Sequence, residues 1–115
     1  MANTFKTVTK AGVTTADVIY TVAGSTTTVV LGLMLGNTTG SAITATVTLG
    51  TDTSNRAGNN DESNQDVELI TSTAIPANST LELLGGNKVV METTDTLSVT
   101  GSGATDVALS IMEIT

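Results

Sequence analysis

The sequence alternates strictly between aliphatic residues and threonine over Ile43–Leu49, which reads ITATVTL. Successive side chains of a β-strand point to opposite faces, so the aliphatic residues of this stretch share one face and the threonines share the other. Threonine is β-branched and suits a strand that is half exposed to water. The stretch therefore predicts a strand with one buried face and one face covered with hydroxyl groups.

The same period of two recurs in looser form along the rest of the chain. The predicted strands are Ile43–Leu49 together with Asp17–Val22, Thr28–Leu35, Asp66–Ile70, Thr80–Leu84, Lys88–Glu92, Asp95–Thr100 and Asp106–Met112. Glycine, asparagine, serine and aspartate separate these segments, and no stretch of ten residues has helical periodicity. The pattern predicts an all-β fold, a β-sandwich or jelly roll of about eight short antiparallel strands.

Length and composition limit the size of the protein and its partners. The 115 residues suffice for one domain, and we assign residues 17–115 to a β-sandwich and residues 1–16 to an N-terminal arm. A net charge of -7 argues against nucleic acid and against an anionic membrane surface as partners. The N-terminus has no signal-peptide pattern, and the longest apolar run is far shorter than the roughly 18 residues of a membrane span. We expect a protein made in a cytoplasm.

Few residues of the chain are suited to catalysis. The absence of cysteine and histidine excludes a disulfide framework, a zinc site built on those ligands, a thiol nucleophile and an imidazole base. Carboxylate pairs such as Asp61 and Glu62 lack the aromatic platforms of a sugar-cleaving site, since Phe5 and Tyr20 are the only aromatic residues. We predict a protein that is not an enzyme and that binds no cofactor.

The segment Thr28–Leu35 is apolar on both faces of its predicted strand. Alternation places one group of side chains on the first face and another on the second: Val29, Leu31, Leu33 and Leu35 against Val30 and Met34. A two-layer sandwich buries only one face of a strand, so the second face needs a loop, the N-terminal segment or another subunit to cover it. Val30 and Met34 are therefore candidates for the interface of a homo-oligomer.

Two polar segments lack the alternation of apolar and polar residues that predicts strands elsewhere in the chain. Residues 1–16 hold Phe5, Lys6 and Lys10, and they form either a frayed terminus or an arm that docks on a neighbouring protein. In the docking interpretation Phe5 is the anchor and the two lysines face an acidic surface. The second segment is Thr51–Asp66, whose acidic and amide side chains would either be hydrated or hold Ca²⁺.

Several stretches resemble the small β-sandwich virion proteins of tailed phages. The stretches that carry the resemblance are Ile19–Leu33, Ile75–Gly86, Lys88–Glu92, Asp95–Val99 and Ser110–Ile114. The resemblance is strongest to the capsid decoration proteins, also called cement proteins.

This resemblance implies a virion structural protein, made in the host cytoplasm, that decorates and stabilises the capsid shell. It implies contact with the major capsid protein or another virion protein, and a homo-oligomer, either a trimer or a dimer, of which the trimer is favoured. Phe5, Lys6 and Lys10 are the candidate capsid contacts. Two alternatives stay open: a neck or tail attachment (adaptor) protein of the virion, and a β-sandwich module that binds a carbohydrate or another ligand.

Overall fold

The computed structural model describes residues 2–52, 54, 65–84 and 86–115. Strands hold 69% of these residues, and no α-helix occurs among them. The described strands are β1 (Asn3–Val13), β2 (Asp17–Thr21), β3 (Thr27–Asn37), β4 (Ile43–Thr51), β5 (Gln65–Ile75), β6 (Thr80–Leu83), β7 (Val89–Met91), β8 (Thr96–Gly101) and β9 (Thr105–Ile114). In this part of the chain no helix is long and apolar enough to cross a membrane. The all-β prediction is confirmed.

The strands form two antiparallel sheets that pack against each other. Sheet I has the order β1-β9-β3-β6, and β7 pairs with an earlier part of β3. Sheet II has the order β2-β8-β4-β5. Because β6 and β7 share one position beside β3, the described strands fill eight positions in two sheets, which is the arrangement of a jelly roll. The predicted sandwich of about eight antiparallel strands is therefore confirmed.

The core lies between the two sheets and is built from aliphatic side chains. Its buried apolar members are Val13, Val22, Val30, Leu33, Leu35, Ile43, Ala45, Val47, Ile75, Leu83, Met91, Leu97, Val99, Val107, Leu109 and Ile111. Full burial of one such side chain of Val, Leu or Ile size stabilises a fold by about 1.5–3 kcal/mol relative to exposure. Both sheets contribute to this core, so removing either sheet would expose the other's inner face to water.

Strand β4 has the alternation that its sequence predicts. Ile43, Ala45 and Val47 are buried in the core, whereas Thr44 is exposed on the opposite face. β4 pairs with β8 on one side and with β5 on the other, so it is a central strand of sheet II. The alternating pattern that predicted the fold class therefore belongs to a central strand, and its pairing with β5 and β8 determines which of its faces points to the core.

Strand β3 does not keep the alternation that its sequence predicts, and as a result Val30 is not an interface candidate. The pairing of β3 with β9 shifts register between Val30 and Gly32, which is a β-bulge. A bulge adds one residue to one strand and reverses the phase of alternation beyond it. Val30 is consequently buried in the chain's own core together with Leu33 and Leu35, with 0% of its surface exposed. Val30 is not a surface residue, so its prediction as an oligomer contact is wrong.

The N-terminal residues are part of sheet I and do not form a separate arm. Asn3–Val13 is strand β1, which pairs with β9 along almost its whole length. Most side chains of β1 are exposed, because the strand lies at the edge of the sheet. A strand without a buried face has no apolar alternation, and for this reason no strand is predicted here from the sequence.

The acidic segment Thr51–Asp66 lies mostly outside the described residues, and so does the Ca²⁺ hypothesis that rests on it. Within the described part of the chain, no group of three or more acidic side chains is placed to hold a metal ion.

Candidate functional site

The two outer faces of the sandwich differ in the side chains that they present. On sheet II the side chains that point away from the core along β4 and β8 are hydroxyl-bearing: Thr44, Thr46, Thr48, Thr96, Ser98 and Thr100. Hydroxyl groups on an outer face bond to water, so this face is suited to solvent. This outer face also carries Val18 of β2, which lies opposite Ser98 and is 55% exposed.

The outer face of sheet I carries a row of apolar side chains that crosses four strands. Phe5 of β1 is opposite Met112 of β9, Met112 is opposite Val29 of β3, and Val29 is opposite Val90 of β7. Phe5 is 71% exposed and Val90 is 61% exposed, while the two inner members of the row are half-buried by their neighbours. No charged side chain interrupts this row.

Further apolar side chains extend this row along the strands. Together they form what we call the apolar face, which consists of Phe5, Val29, Leu31, Met34, Val90, Ala108, Met112 and Ile114. Met34 is 47% exposed and borders a shallow depression of about 370 Å³ with Thr9 and Ala108. A second depression of about 310 Å³ lies between Phe5 and Leu31. The polar side chains of Thr7 and Ser110 lie between its two ends, and Glu82 lies opposite Met34. Exposed apolar side chains grouped in this way are typical of a surface that contacts another protein.

The lysines of β1 lie at the edge of sheet I, on the opposite side of the strand from Phe5, and both form ion pairs. The Lys6 ammonium lies 2.7 Å from a Glu113 carboxylate oxygen, and Lys10 lies 3.7 Å from Asp17. Both lysine side chains are about half exposed. Ion pairs at such exposure contribute little to stability, typically ~0–1 kcal/mol. The lysines therefore remain accessible to a partner, although part of their charge is balanced within the chain.

Glu113 connects the two sheets through a side-chain network. The Tyr20 hydroxyl of sheet II donates to Glu113 Oε2 of sheet I at 2.6 Å, and it also lies 2.8 Å from the Thr28 hydroxyl. The hydrogen bonds from Lys6 and Tyr20 lower the pKa of Glu113. Burial, followed by the hydrogen bond to Glu113, raises the pKa of Tyr20. The network has a structural role, because it holds the edge strand β1 and sheet II to the same carboxylate.

Another carboxylate, that of Asp95, accepts hydrogen bonds from the backbone. Asp95 is buried and accepts hydrogen bonds from the backbone N–H groups of Asp52 and Glu92, each at 2.9 Å. The backbone N–H of Val22 donates to the Asp95 carbonyl at 3.0 Å, so this residue fixes the β7–β8 turn to two other segments. The carboxylates of Glu113 and Asp95 therefore both take part in interactions that hold the fold together.

The structure places the predicted site residues at three locations. Phe5 and Met34 lie on the apolar face, which brings a predicted capsid contact and a predicted oligomer contact onto one surface. Lys6 and Lys10 lie on the sandwich side of β1, opposite Ile111 and Val107 respectively. Val30 lies in the core. Sequence reasoning thus found two members of the apolar face.

The other members of the apolar face were missed for identifiable reasons. Val29 and Leu31 were assigned to the same side as Leu33 because the bulge has no local sequence signal. Val90 lies in Val89-Val90-Met91, a segment that is apolar on both faces, and this pattern could have indicated its position. Met112 follows three inward residues of β9 by alternation, so its outward position could have been read from the sequence.

The fold and this surface define an all-β jelly-roll protein with one apolar outer face. No protein-family model matches the chain, and no curated protein matches it. A solved structure that is described by the words "Bacillus endospore appendages form a novel family of disulfide-linked pili" is similar, with a TM-score of 0.47 and 16% sequence identity. The similarity covers 99% of this chain and 87% of that chain. This chain has no cysteine, so it forms no disulfide of its own.

Proposed function

We propose that this chain is a non-enzymatic structural protein of a tailed-phage virion, which decorates and stabilises the capsid shell as a homo-oligomer. The observation that carries the proposal is the contrast between the two outer faces of the sandwich. The outer face of sheet II is lined with hydroxyl groups along β4 and β8, whereas the outer face of sheet I carries the exposed apolar row from Phe5 to Val90, which suits a protein contact. A decoration protein needs both surfaces, because one side attaches to its assembly and the other faces solvent.

The roles of the best-connected carboxylates support a structural protein. Glu113 accepts from Tyr20 and Lys6, and Asp95 accepts from backbone N–H groups. A general acid or base needs a free lone pair or proton that points to a substrate. Both carboxylates instead hold strands and turns together, which is consistent with a framework protein.

The virion assignment itself rests on the sequence resemblance to small phage proteins. Two of the resembling stretches, Ile19–Leu33 and Lys88–Glu92, include the parts of β3 and β7 that contribute Val29, Leu31 and Val90 to the apolar face. The resemblance and the proposed assembly surface therefore involve the same strands. The partner under this proposal is the major capsid protein or another virion protein, and the location is the virion.

Quantitative mass spectrometry of purified particles tests this proposal. We expect the chain in particles at a copy number of the same order as that of the major capsid protein. A copy number as low as that of the portal or tail proteins would instead support a neck or tail adaptor. Absence of the chain from purified particles would overturn the virion role altogether.

The predicted capsid contact at β1 has a separate test with a matched control. Lys10 is half exposed with a loose ion pair, whereas Lys88 is exposed before β7 at the opposite edge of sheet I. We expect Lys10→Gln to weaken co-sedimentation with capsids stripped of this protein, and we expect the defect to fade as salt rises because screening already removes the charge contribution. Lys88→Gln should bind as the wild type does. Equal effects of the two substitutions would show that β1 is not the contact.

Removal of residues 1–12 is not a suitable test of this contact. It would delete almost all of strand β1 and expose the edge of β9, to which β1 is paired. A loss of binding after that deletion would therefore report misfolding or aggregation as readily as a lost contact.

A further inference from the structure

Strand β1 consists of a long exposed segment and a short anchored end. Residues 3–10, which we call the edge segment, pair with β9 in one unbroken register, and the register shifts between Lys10 and Val13. Gly12 lies within this shift at a φ of +67°, and a Cβ there would meet no atom within 4 Å. Val13 is buried in the core. The backbone therefore has a flexible residue between the edge segment and its anchor.

The edge segment has little apolar packing on the sandwich. Seven of its eight residues are exposed, and the eighth, Val8, is half-buried against the core. Alternation places Lys6 and Lys10 on the same inward side as Val8, so two of the side chains that face the sandwich are charged. Separation of the edge segment from β9 would therefore remove mainly the apolar contacts of Val8, and its hydrophobic cost is small.

Electrostatic attraction holds the edge segment to both sheets. Lys6 contacts Glu113 of β9, whose carboxylate also accepts from Tyr20 of sheet II, and Lys10 contacts Asp17 of β2. The edge segment has two lysines and no carboxylate, so its charge is +2, and the net charge of -7 leaves -9 on the rest of the chain. Because both lysines are about half exposed, dissolved salt screens this attraction.

We propose that the edge segment is a releasable strand, which is held by its ion pairs and leaves sheet I as one unit about Gly12 while Val13 and strands β2–β9 keep their fold. While it is bound, its inward-pointing lysines hinder the addition of another strand, as charges on an edge strand do. Its release exposes the edge of β9, whose inward side chains over residues 107–111 are apolar. Release therefore converts a protected sheet edge into an unprotected one, independently of any role in a virion.

The hydrogen-bond pattern of β9 distinguishes release from unfolding of the whole sandwich. The backbones of Ala2 and Thr115 exchange two hydrogen bonds, at 3.1 and 3.0 Å. Bonded and non-bonded pairs alternate along an antiparallel ladder, so odd-numbered residues of β9 bond to the edge segment and even-numbered ones bond to β3. The segment-bonded amides are those of Val107, Leu109 and Ile111. The β3-bonded amides are those of Ala108, Ser110 and Met112.

Amide hydrogen exchange, measured for each residue by NMR on the full chain, tests the release. After correction for intrinsic rates, we expect the segment-bonded amides to exchange at least about tenfold faster than the β3-bonded amides, because release frees only the first set. Raising the salt from about 0.05 M to about 1 M should increase this ratio about threefold. Equal rates for the two sets would overturn the proposal. So would rates that fall gradually from Thr4 to Lys10, which would indicate fraying from the terminus.

Substitution of a lysine tests the part played by the ion pairs. Lys6→Gln removes the contact with Glu113, so its segment-bonded amides should exchange about threefold faster than those of the wild type, while its β3-bonded amides change less. Lys88→Gln is the matched control, because Lys88 is exposed and lies outside the edge segment. It should leave the ratio of the two sets unchanged. The same ratio in both variants would overturn the proposal that ion pairs hold the segment.

A disulfide that joins the edge segment to β9 provides the converse test. Thr7 and Ser110 are opposite each other in a non-bonded pair, whose Cα atoms lie about 4.5 Å apart, within the range of a disulfide. The natural chain has no cysteine to compete. In the oxidised Thr7→Cys/Ser110→Cys variant, the segment-bonded amides should slow to about the rate of the β3-bonded amides, and reduction should restore their faster exchange. Equal exchange in the oxidised and reduced forms would overturn the release.

Discussion

Asn37 is a buried polar residue that joins three segments at one end of the sandwich. It is the last residue of β3, and its Nδ2 group donates to the carbonyl oxygens of Ser41, Ile75 and Pro76 at 2.8, 3.0 and 3.1 Å. Its Oδ1 accepts from the backbone N–H and from the hydroxyl of Thr39 at 2.9 and 2.7 Å. The amide thus fixes the turn between β3 and β4 and attaches that turn to the end of β5.

Replacing Asn37 by alanine should cost about 3–4 kcal/mol of unfolding free energy. The two Nδ2 hydrogens and the two bonds to Oδ1 make four hydrogen-bond contributions, each with a net value of about 1 kcal/mol. Asn37→Asp should be at least as damaging, because its carboxylate would face carbonyl oxygens with no hydrogen to donate. The exposed Asn87 provides the control, and Asn87→Ala should change the unfolding free energy by less than about 0.5 kcal/mol.

Urea unfolding followed by circular dichroism measures this difference. We expect the midpoint for Asn37→Ala to fall with little change in the denaturant slope, since the surface that is exposed on unfolding stays the same. A loss below about 1 kcal/mol, or an equal loss in Asn87→Ala, would refute the reasoning, because the amide bonds would then be replaced by water without cost.

Two further predictions concern steric fit and pH. Gly101→Ala would place its Cβ 2.7 Å from the Val13 carbonyl oxygen and 2.8 Å from the Gly103 carbonyl oxygen, so thermal denaturation should show that the free energy of unfolding falls by about 1–3 kcal/mol. The control is Gly32→Ala, which should be nearly neutral because its Cβ would meet nothing within 4 Å. Similar melting temperatures for the two variants would contradict this steric argument. Because the pKa of Glu113 is lowered in the fold, its contribution to stability is present above the ordinary pKa of 4.5 and is lost as the pH falls through the lower folded value. Unfolding free energies measured at a series of pH values should therefore fall less on acidification in Glu113→Gln than in the wild type, and parallel profiles would exclude this role of Glu113.

The sequence by itself determined the class of this fold. The alternation in Ile43–Leu49 and its looser repeats predicted an all-β sandwich, and β4 buries the side chains that the pattern placed inward. This works because the period of two is a property of each strand alone and can be read without knowing its neighbours. The apolar character of both faces of Thr28–Leu35 was also readable, and in the structure Met34 of this segment is 47% exposed on the outer face while Leu33 and Leu35 are buried.

Only the tertiary structure decided which side chains form the apolar face. The bulge after Val30 exists because β3 must stay in register with β9, and that register is a property of the pair. The edge strand β1 has no buried face to leave a pattern, so its pairing with β9 is invisible in the sequence. Phe5 and Val90 lie far apart in the chain and share a row only because β9 and β3 lie between them, and strand pairing of this kind is non-local.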